Sequence, residues 1–178
     1  MKKVSLLCVA AVFALVAGCA SGPQRPDWVM KGSGAFKGDK KVLYGVGIAE
    51  TIKSEALRRT TADNRAISEI SRQLSAMSTS LMRDYMSSTS ATEEEKTSGE
   101  QYVENTVKTF TSNTVSGVKV IDRWDDGKVT YALAELNIDD LKSMSDKVQQ
   151  LSQQMREYIK QNADKAFDAL EAEQNKGN

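Results

Sequence analysis

From residue 53 to about residue 87 the chain contains neither glycine nor proline, and this stretch constrains the fold more than any other. Apolar side chains recur in it at steps of three and four, and polar side chains fill the positions between them. That spacing places on one face of a helix the residues Ile67, Ile70, Leu74, Met77, Leu81 and Tyr85. Such a helix is about 50 Å long at 1.5 Å per residue, so the fold must offer a long apolar surface against it.

Three other runs have the composition of β-strands, at residues 42–50, 117–124 and 128–138. One face of the first run carries only small or apolar residues: Leu43, Gly45, Gly47 and Ala49. We expect a helix to pack closely on that face, because small side chains leave room for its backbone. The last two runs flank Asp125-Asp126-Gly127, and an Asp-Gly turn between strand-like runs predicts a hairpin.

Two more segments have helical periodicity. Residues 100–115 form an amphipathic pattern, whereas residues 88–99, with three consecutive glutamates, are predicted to be a charged loop. A long C-terminal helix is predicted to begin at Asp139 and Asp140, where carboxylates favour exposed N–H groups. Its apolar stripe fits either a helix packed along the domain or a coiled-coil seam between subunits.

These elements predict an α+β fold, in which a small three-stranded antiparallel sheet carries a long helix, an extra helix and a long C-terminal helix. A sheet of three strands with open edges is marginal alone and prone to pair with other strands. We therefore expect a homo-oligomer or other protein partners.

The composition excludes several functions. None of the 178 residues is histidine, so catalysis by Ser-His-Asp or Cys-His and imidazole zinc sites are impossible. The 24 basic and 24 acidic residues balance, which gives no indication of nucleic-acid binding. We expect no catalytic, cofactor-binding or metal-binding residues.

The local motifs agree with that expectation. Gly45-Val46-Gly47 lacks the third glycine of a dinucleotide loop. The Asp122, Asp125 and Asp126 spacing does not fit a calcium loop, since Trp124 stands where a ligand is needed. An enzyme that uses carboxylates alone would have to bring together distant residues, for example Glu69, Asp122 and Glu135.

The N-terminus has the pattern of a secretory signal. Lys2 and Lys3 precede an apolar run at residues 4–17, which is short for a membrane span. The following string, Leu15-Val16-Ala17-Gly18-Cys19, resembles a bacterial lipobox. The resemblance implies cleavage between Gly18 and Cys19, with a diacylglycerol and an N-palmitoyl group on Cys19. By the same resemblance, Ala20 favours the outer membrane. Cys8 lies in the removed segment, so no intramolecular disulfide is expected.

This pattern predicts four regions: a signal peptide at residues 1–18, a flexible tether at 19–41, an α+β domain at 42–138 and a C-terminal amphipathic helix at 139–178. The prolines Pro23 and Pro26 mark the tether. Trp28 and Val29 interrupt it with apolar surface. We expect them to dock on the domain rather than at the membrane interface.

Several short motifs resemble one bacterial family: Pro26-Asp27-Trp28-Val29, Tyr44-Gly45-Val46-Gly47, Ala62-Asp63-Asn64-Arg65-Ala66-Ile67, Asp122-Arg123-Trp124 and Tyr131-Ala132-Leu133. They are similar to the twenty-kilodalton outer-membrane lipoprotein family, which includes flagellar assembly lipoproteins. The resemblance implies a β-α-β-β domain of dodecin-like or SHS2-like shape, a lipid anchor at the outer membrane, and no catalytic residues. The helical content of residues 100–115 and the long C-terminal helix depart from that pattern.

Together these features predict a non-enzymatic outer-membrane lipoprotein. The lipid would bind the membrane, and the domain would act as a structural or scaffold subunit that faces the periplasm or the cell surface, in a flagellar or envelope assembly. The alternative is a small-ligand binding or carrier lipoprotein that uses a cleft between sheet and helices.

Overall fold

A computed structural model describes residues 24–36, 41–88 and 91–176 of the chain. In chain order its elements are α1 (Asp27–Lys31), a 3-10 turn (Gly32–Ala35), β1 (Val42–Ala49), α2 (Glu55–Ser87), α3 (Glu93–Val115), β2 (Lys119–Asp125), β3 (Thr130–Asn137), α4 (Ile138–Ser145) and α5 (Gln153–Lys176). This is the predicted α+β class, with a three-stranded antiparallel sheet.

The sheet has the order β1-β3-β2, so β3 is central and the other two strands are its edges. β1 pairs with β3 without a break, from Val42 opposite Asn137 to Ala49 opposite Thr130. β2 and β3 form the predicted hairpin, and their pairing is interrupted by a bulge between Val120 and Asp122.

The long helix α2 packs on one face of this sheet, which we call the inner face. Most of its predicted apolar stripe is buried: Ile67 is half-buried, and the others are at most 1% exposed, namely Ile70, Leu74, Met77, Leu81 and Tyr85. A Cβ atom on Gly47 would lie 2.0 Å from the carbonyl oxygen of Ala62, and one on Gly45 would lie 2.3 Å from that of Ala66. The small face of β1 therefore allows the close approach that the sequence predicts.

The helix α3 begins at Glu93, earlier than predicted, so residues 93–99 belong to this helix and not to a charged loop. Thr92 and Glu95 form a reciprocal capping box, in which each side chain accepts a bond from the other's backbone N–H. The three glutamates suit this helix start, since carboxylates favour the positive end of the helix dipole. Gly99 then kinks the helix with a φ of 60°, a conformation that favours glycine.

The C-terminal helix is also different from the prediction, since it is divided into α4 and α5 by a connection at residues 146–152. Leu151, Met155 and Ile159 are at most 3% exposed and belong to the same core as α2. Lys142 of α4 and Asp164 of α5 form an ion pair of 2.8 Å that joins the two helices. The stripe therefore packs along its own domain, the first of the two alternatives.

Candidate functional site

The residues of the predicted lipid attachment, Gly18 and Cys19, lie outside the described part of the chain. The first described residue, Gln24, follows Cys19 by five positions. Five extended residues span at most about 18 Å, so the described domain is connected closely to that cysteine. Within the described ranges, no helix combines the length and apolar character that crossing a bilayer requires.

The segment of residues 25–36 covers the other face of the sheet, which we call the outer face. Trp28 is 6% exposed and donates its indole N–H to Asp122 Oδ2 at 3.0 Å. The ring of Phe36 stacks on Tyr44, with 4.1 Å between centroids. Arg25 lies 4.9 Å above the ring of Trp124, a cation–π contact. This part of the expected tether is folded onto the domain, and Trp28 docks as expected.

An open groove lies between α2 and α3, with a volume of about 1280 Å³. Apolar side chains from both helices line it: Met86, Val103, Val107 and Val115. Charged side chains also line it: Arg72, Arg83, Lys96, Lys108, Glu100 and Glu104. A groove with apolar and charged lining is suited to an amphipathic ligand. It differs from the predicted cleft, because the sheet and α2 are in direct contact.

A buried carboxylate, Glu95, joins the helices close to this groove. It is 7% exposed and accepts hydrogen bonds from Tyr85 Oη at 2.7 Å and Tyr102 Oη at 3.2 Å. Burial opposes its ionisation, but bonds from Tyr85 and Thr92 outweigh burial and lower its pKa below the usual value. Burial, together with the bond to Glu95, raises the pKa of Tyr85 to about 12. The cluster is a structural junction between α2 and α3.

The hairpin turn is fixed to α2 by a second buried charge, Arg58. Its guanidinium donates to Thr130 Oγ1 at 2.9 Å and to Asp125 Oδ2 at 3.1 Å. Bonds from Thr130 and the Gly127 N–H, together with the Arg58 charge, lower the pKa of Asp125. Asp126 accepts the backbone N–H groups of the turn. These carboxylates therefore have structural partners in the hairpin.

The three carboxylates considered for acid–base chemistry do not converge. Glu69 lies on α2, where its Cβ is 3.2 Å from the position of a Cβ on Gly45, on the inner side. The side chains of Asp122 and Glu135 lie on the outer face, where Asp122 accepts a hydrogen bond from Trp28. The sheet thus separates Glu69 from the other two. Across the described ranges, no three Asp, Glu or Cys side chains form a group that could hold a metal ion.

Two features of this site were missed in the sequence. The composition of residues 88–99 predicts a charged loop, although Thr92 followed three residues later by Glu95 is the signature of a capping box. The bond between Trp28 and Asp122 joins residues 94 positions apart, and no local pattern indicates such a pair.

The architecture defines a class of protein: a small antiparallel sheet with a long helix on its inner face and an N-terminal segment across its outer face. A scan against protein-family models matches the LPP20 lipoprotein model at residues 26–137, which is more than half of the chain. The chain belongs to the LPP20 lipoprotein family, as the sequence motifs indicated. This is not a known family of enzymes. No curated protein matches the chain.

Proposed function

We propose that this protein is a non-enzymatic lipoprotein, anchored by acyl chains on Cys19 to the outer membrane, that serves as a structural or scaffold subunit of a flagellar or other envelope assembly. The observation that supports it most is the family match, together with the lipobox string that ends at Cys19. Several acyl chains on one residue provide stable anchoring, whereas a single chain binds membranes only marginally.

The fold supports a subunit held close to the bilayer. The N-terminal segment contacts the outer face first through Arg25 and then through Trp28. Only residues 20–24 separate Arg25 from Cys19. A short connection restricts the domain to the neighbourhood of the membrane surface. The domain then presents its helices and sheet edges to partners that lie along that surface.

The test is the variant Cys19→Ser in the native host, followed by labelling with radioactive palmitate and by membrane fractionation. We expect loss of the label and an uncut or mis-sorted precursor. Cys8→Ser is the matched control, because it removes the other cysteine of the chain and should leave labelling and sorting unchanged. Labelled Cys19→Ser protein in the outer membrane would contradict the proposed anchor.

The groove between α2 and α3 favours a second function, the binding or carriage of a small amphipathic ligand. Thr111 lines the groove, and its Oγ1 has no hydrogen-bond partner among the described residues. The probe is anilinonaphthalene sulfonate, an apolar ring system with one anionic group. We expect Val103→Trp, in the groove, to abolish its fluorescence enhancement and Leu57→Trp, at an exposed site, to preserve it. Equal enhancement in both variants would contradict this function.

A further inference from the structure

The edge strand β1 directs alternate backbone groups away from the sheet. In an antiparallel ladder, alternate residues point both N–H and C=O toward the neighbouring strand, and those between point both outward. The carbonyl of Lys41 accepts the N–H of Ile138 at 3.0 Å, which fixes the alternation. The backbone N–H and C=O groups of Tyr44, Val46 and Ile48 therefore point away from β3, toward the open edge of the sheet.

Bonds from α2 agree with this assignment. Gln73 Nε2 donates to the carbonyl of Tyr44 at 2.9 Å, and Arg65 donates to the carbonyl of Ile48. The edge N–H groups of Tyr44, Val46 and Ile48 have no partner among the described residues. A row of three backbone donors, with the carbonyl of Val46 between them, is thus available along this edge.

The two sheet edges differ in how they resist pairing with another strand. β2 carries a bulge and the charged residues Lys119, Asp122, Arg123 and Asp125, which are the usual protections of an edge. β1 spans eight residues, VLYGVGIA, with no charge, no proline and no bulge. An uncharged, regular edge of this length is a template for a further strand.

We propose that β1 is the contact between two copies of this chain, paired antiparallel about a twofold axis at Val46. The proposal rests on the proposed scaffold function and names the partner of its subunit. Val46 then lies opposite itself, and Tyr44 of one copy lies opposite Ile48 of the other. The outward N–H groups of each copy bond the outward carbonyls of its neighbour, since a carbonyl oxygen accepts two bonds.

The side chains on the outer face fit this register. Ile48 is 42% exposed, and it is one of the few large apolar side chains that the described fold leaves in solvent. In the pair it contacts Tyr44 of the other copy, which is already stacked on Phe36. Aromatic and β-branched side chains are favourable cross-strand neighbours. The contact therefore buries Ile48 of both copies.

The helix side of the edge is charge-complementary to itself. Arg65 lies level with Ile48, whose carbonyl it binds. Glu69 lies level with Gly45 and pairs with Arg72 of its own helix. The twofold axis places Ile48 opposite Tyr44, so Arg65 of one copy faces Glu69 of the other. Exposed ion pairs add little affinity, but opposite charges specify the antiparallel register and oppose the parallel one.

The test is disulfide trapping of the full-length lipoprotein in native membranes with Val46→Cys. Directly opposed residues in such a pair have Cα atoms about 5.5 Å apart, which suits a disulfide. We expect a reductant-sensitive dimer that is absent from wild type. Ile121→Cys is the matched control on the opposite edge, β2. Ile121 is 45% exposed, a fraction similar to the 42% of Ile48 on β1. Ile121→Cys should give several-fold less disulfide-linked dimer. Val46→Cys protein that stays monomeric, or an equal amount of dimer from Ile121→Cys, would overturn the proposal.

A second pair of variants tests the register. In the Val46→Cys background, Ile48→Lys should reduce the trapped dimer several-fold and Ile121→Lys should leave it unchanged, with circular dichroism to show that both are folded. Folded Ile48→Lys protein that is trapped like its parent would count against the register. Palmitate labelling of the same samples separates the two proposals: a labelled membrane protein without trapped dimer contradicts only the edge contact, and unlabelled soluble protein contradicts the anchor.

Discussion

Glu95 is a buried carboxylate at the junction of α2 and α3. It joins Tyr85 of α2 and Tyr102 of α3, and Tyr85 in turn lies 3.5 Å from Ser152, just before α5. A carboxylate buried to this extent is stable only because several donors satisfy its oxygens. The cluster therefore links three helices through one charge.

The lowered pKa of Glu95 gives its contribution to stability a definite pH dependence. A carboxyl whose pKa is lower in the folded state stabilises the fold at pH values above its unfolded pKa, near 4.5, and loses that effect as pH falls through the folded pKa. At pH 7 we expect Glu95→Gln to reduce the free energy of unfolding by about 2 kcal/mol, because bonds to a charged acceptor are lost. The difference from wild type should narrow below pH 4.5.

Urea unfolding followed by circular dichroism at pH 7 and at lower pH measures that difference. Glu94→Gln is the control, because Glu94 is an exposed neighbour in the same helical turn. Its effect at pH 7 should be well below that of Glu95→Gln. A constant difference between Glu95→Gln and wild type at every pH would contradict the assigned ionisation.

Gly47 supports a prediction about backbone packing. An added Cβ atom would lie 2.0 Å from the carbonyl oxygen of Ala62, and that oxygen is backbone and cannot rotate away. We expect Gly47→Ala to reduce the free energy of unfolding by about 3 kcal/mol through overpacking. Gly34→Ala is the matched control, since nothing lies within 4 Å of its Cβ position. Similar melting temperatures for the two variants would contradict a close approach of α2 to β1.

At the scale of elements, the strands, the hairpin and most of α2 could be predicted because their patterns are local. The break between α4 and α5 could not, since the connection at residues 146–152 contains neither glycine nor proline. Val148 and Leu151 in that connection are buried at the positions that a continuous helix would also bury. Periodicity records which side chains are buried, so it does not detect a break that keeps the same stripe.

The C-terminal stripe carries a prediction at this scale. Ile159 of α5 is fully buried in the core to which α2 also contributes, whereas Gln161 of the same helix is exposed. We expect Ile159→Asp to reduce the free energy of unfolding by at least about 3 kcal/mol, because it buries an unpaired charge. Gln161→Asp should have little effect. Circular dichroism with sedimentation checks this: a folded Ile159→Asp monomer would instead indicate a seam between subunits.

At the scale of the whole molecule, the two faces of the sheet are covered from within the chain and the two edges are not equivalent. α2 covers the inner face, and the segment that leads from Cys19 covers the outer face. The sequence predicts that Trp28 docks on the domain, but it does not indicate the face, because the partner Asp122 lies 94 positions away. The proposed contact along β1 then lies beside the face that residues 25–36 cover.

This arrangement couples the two proposals in a measurable way. A pair of eight-residue strands buries well under about 1,000 Å², so the contact between copies should be weak in free solution. Anchoring both copies in one membrane raises their effective concentration without any new contact. We expect Val46→Cys to be trapped efficiently in membranes and several-fold less in a large excess of detergent micelles at the same total protein concentration. Equal trapping in both would show that the contact is strong by itself, and that anchoring does not drive assembly.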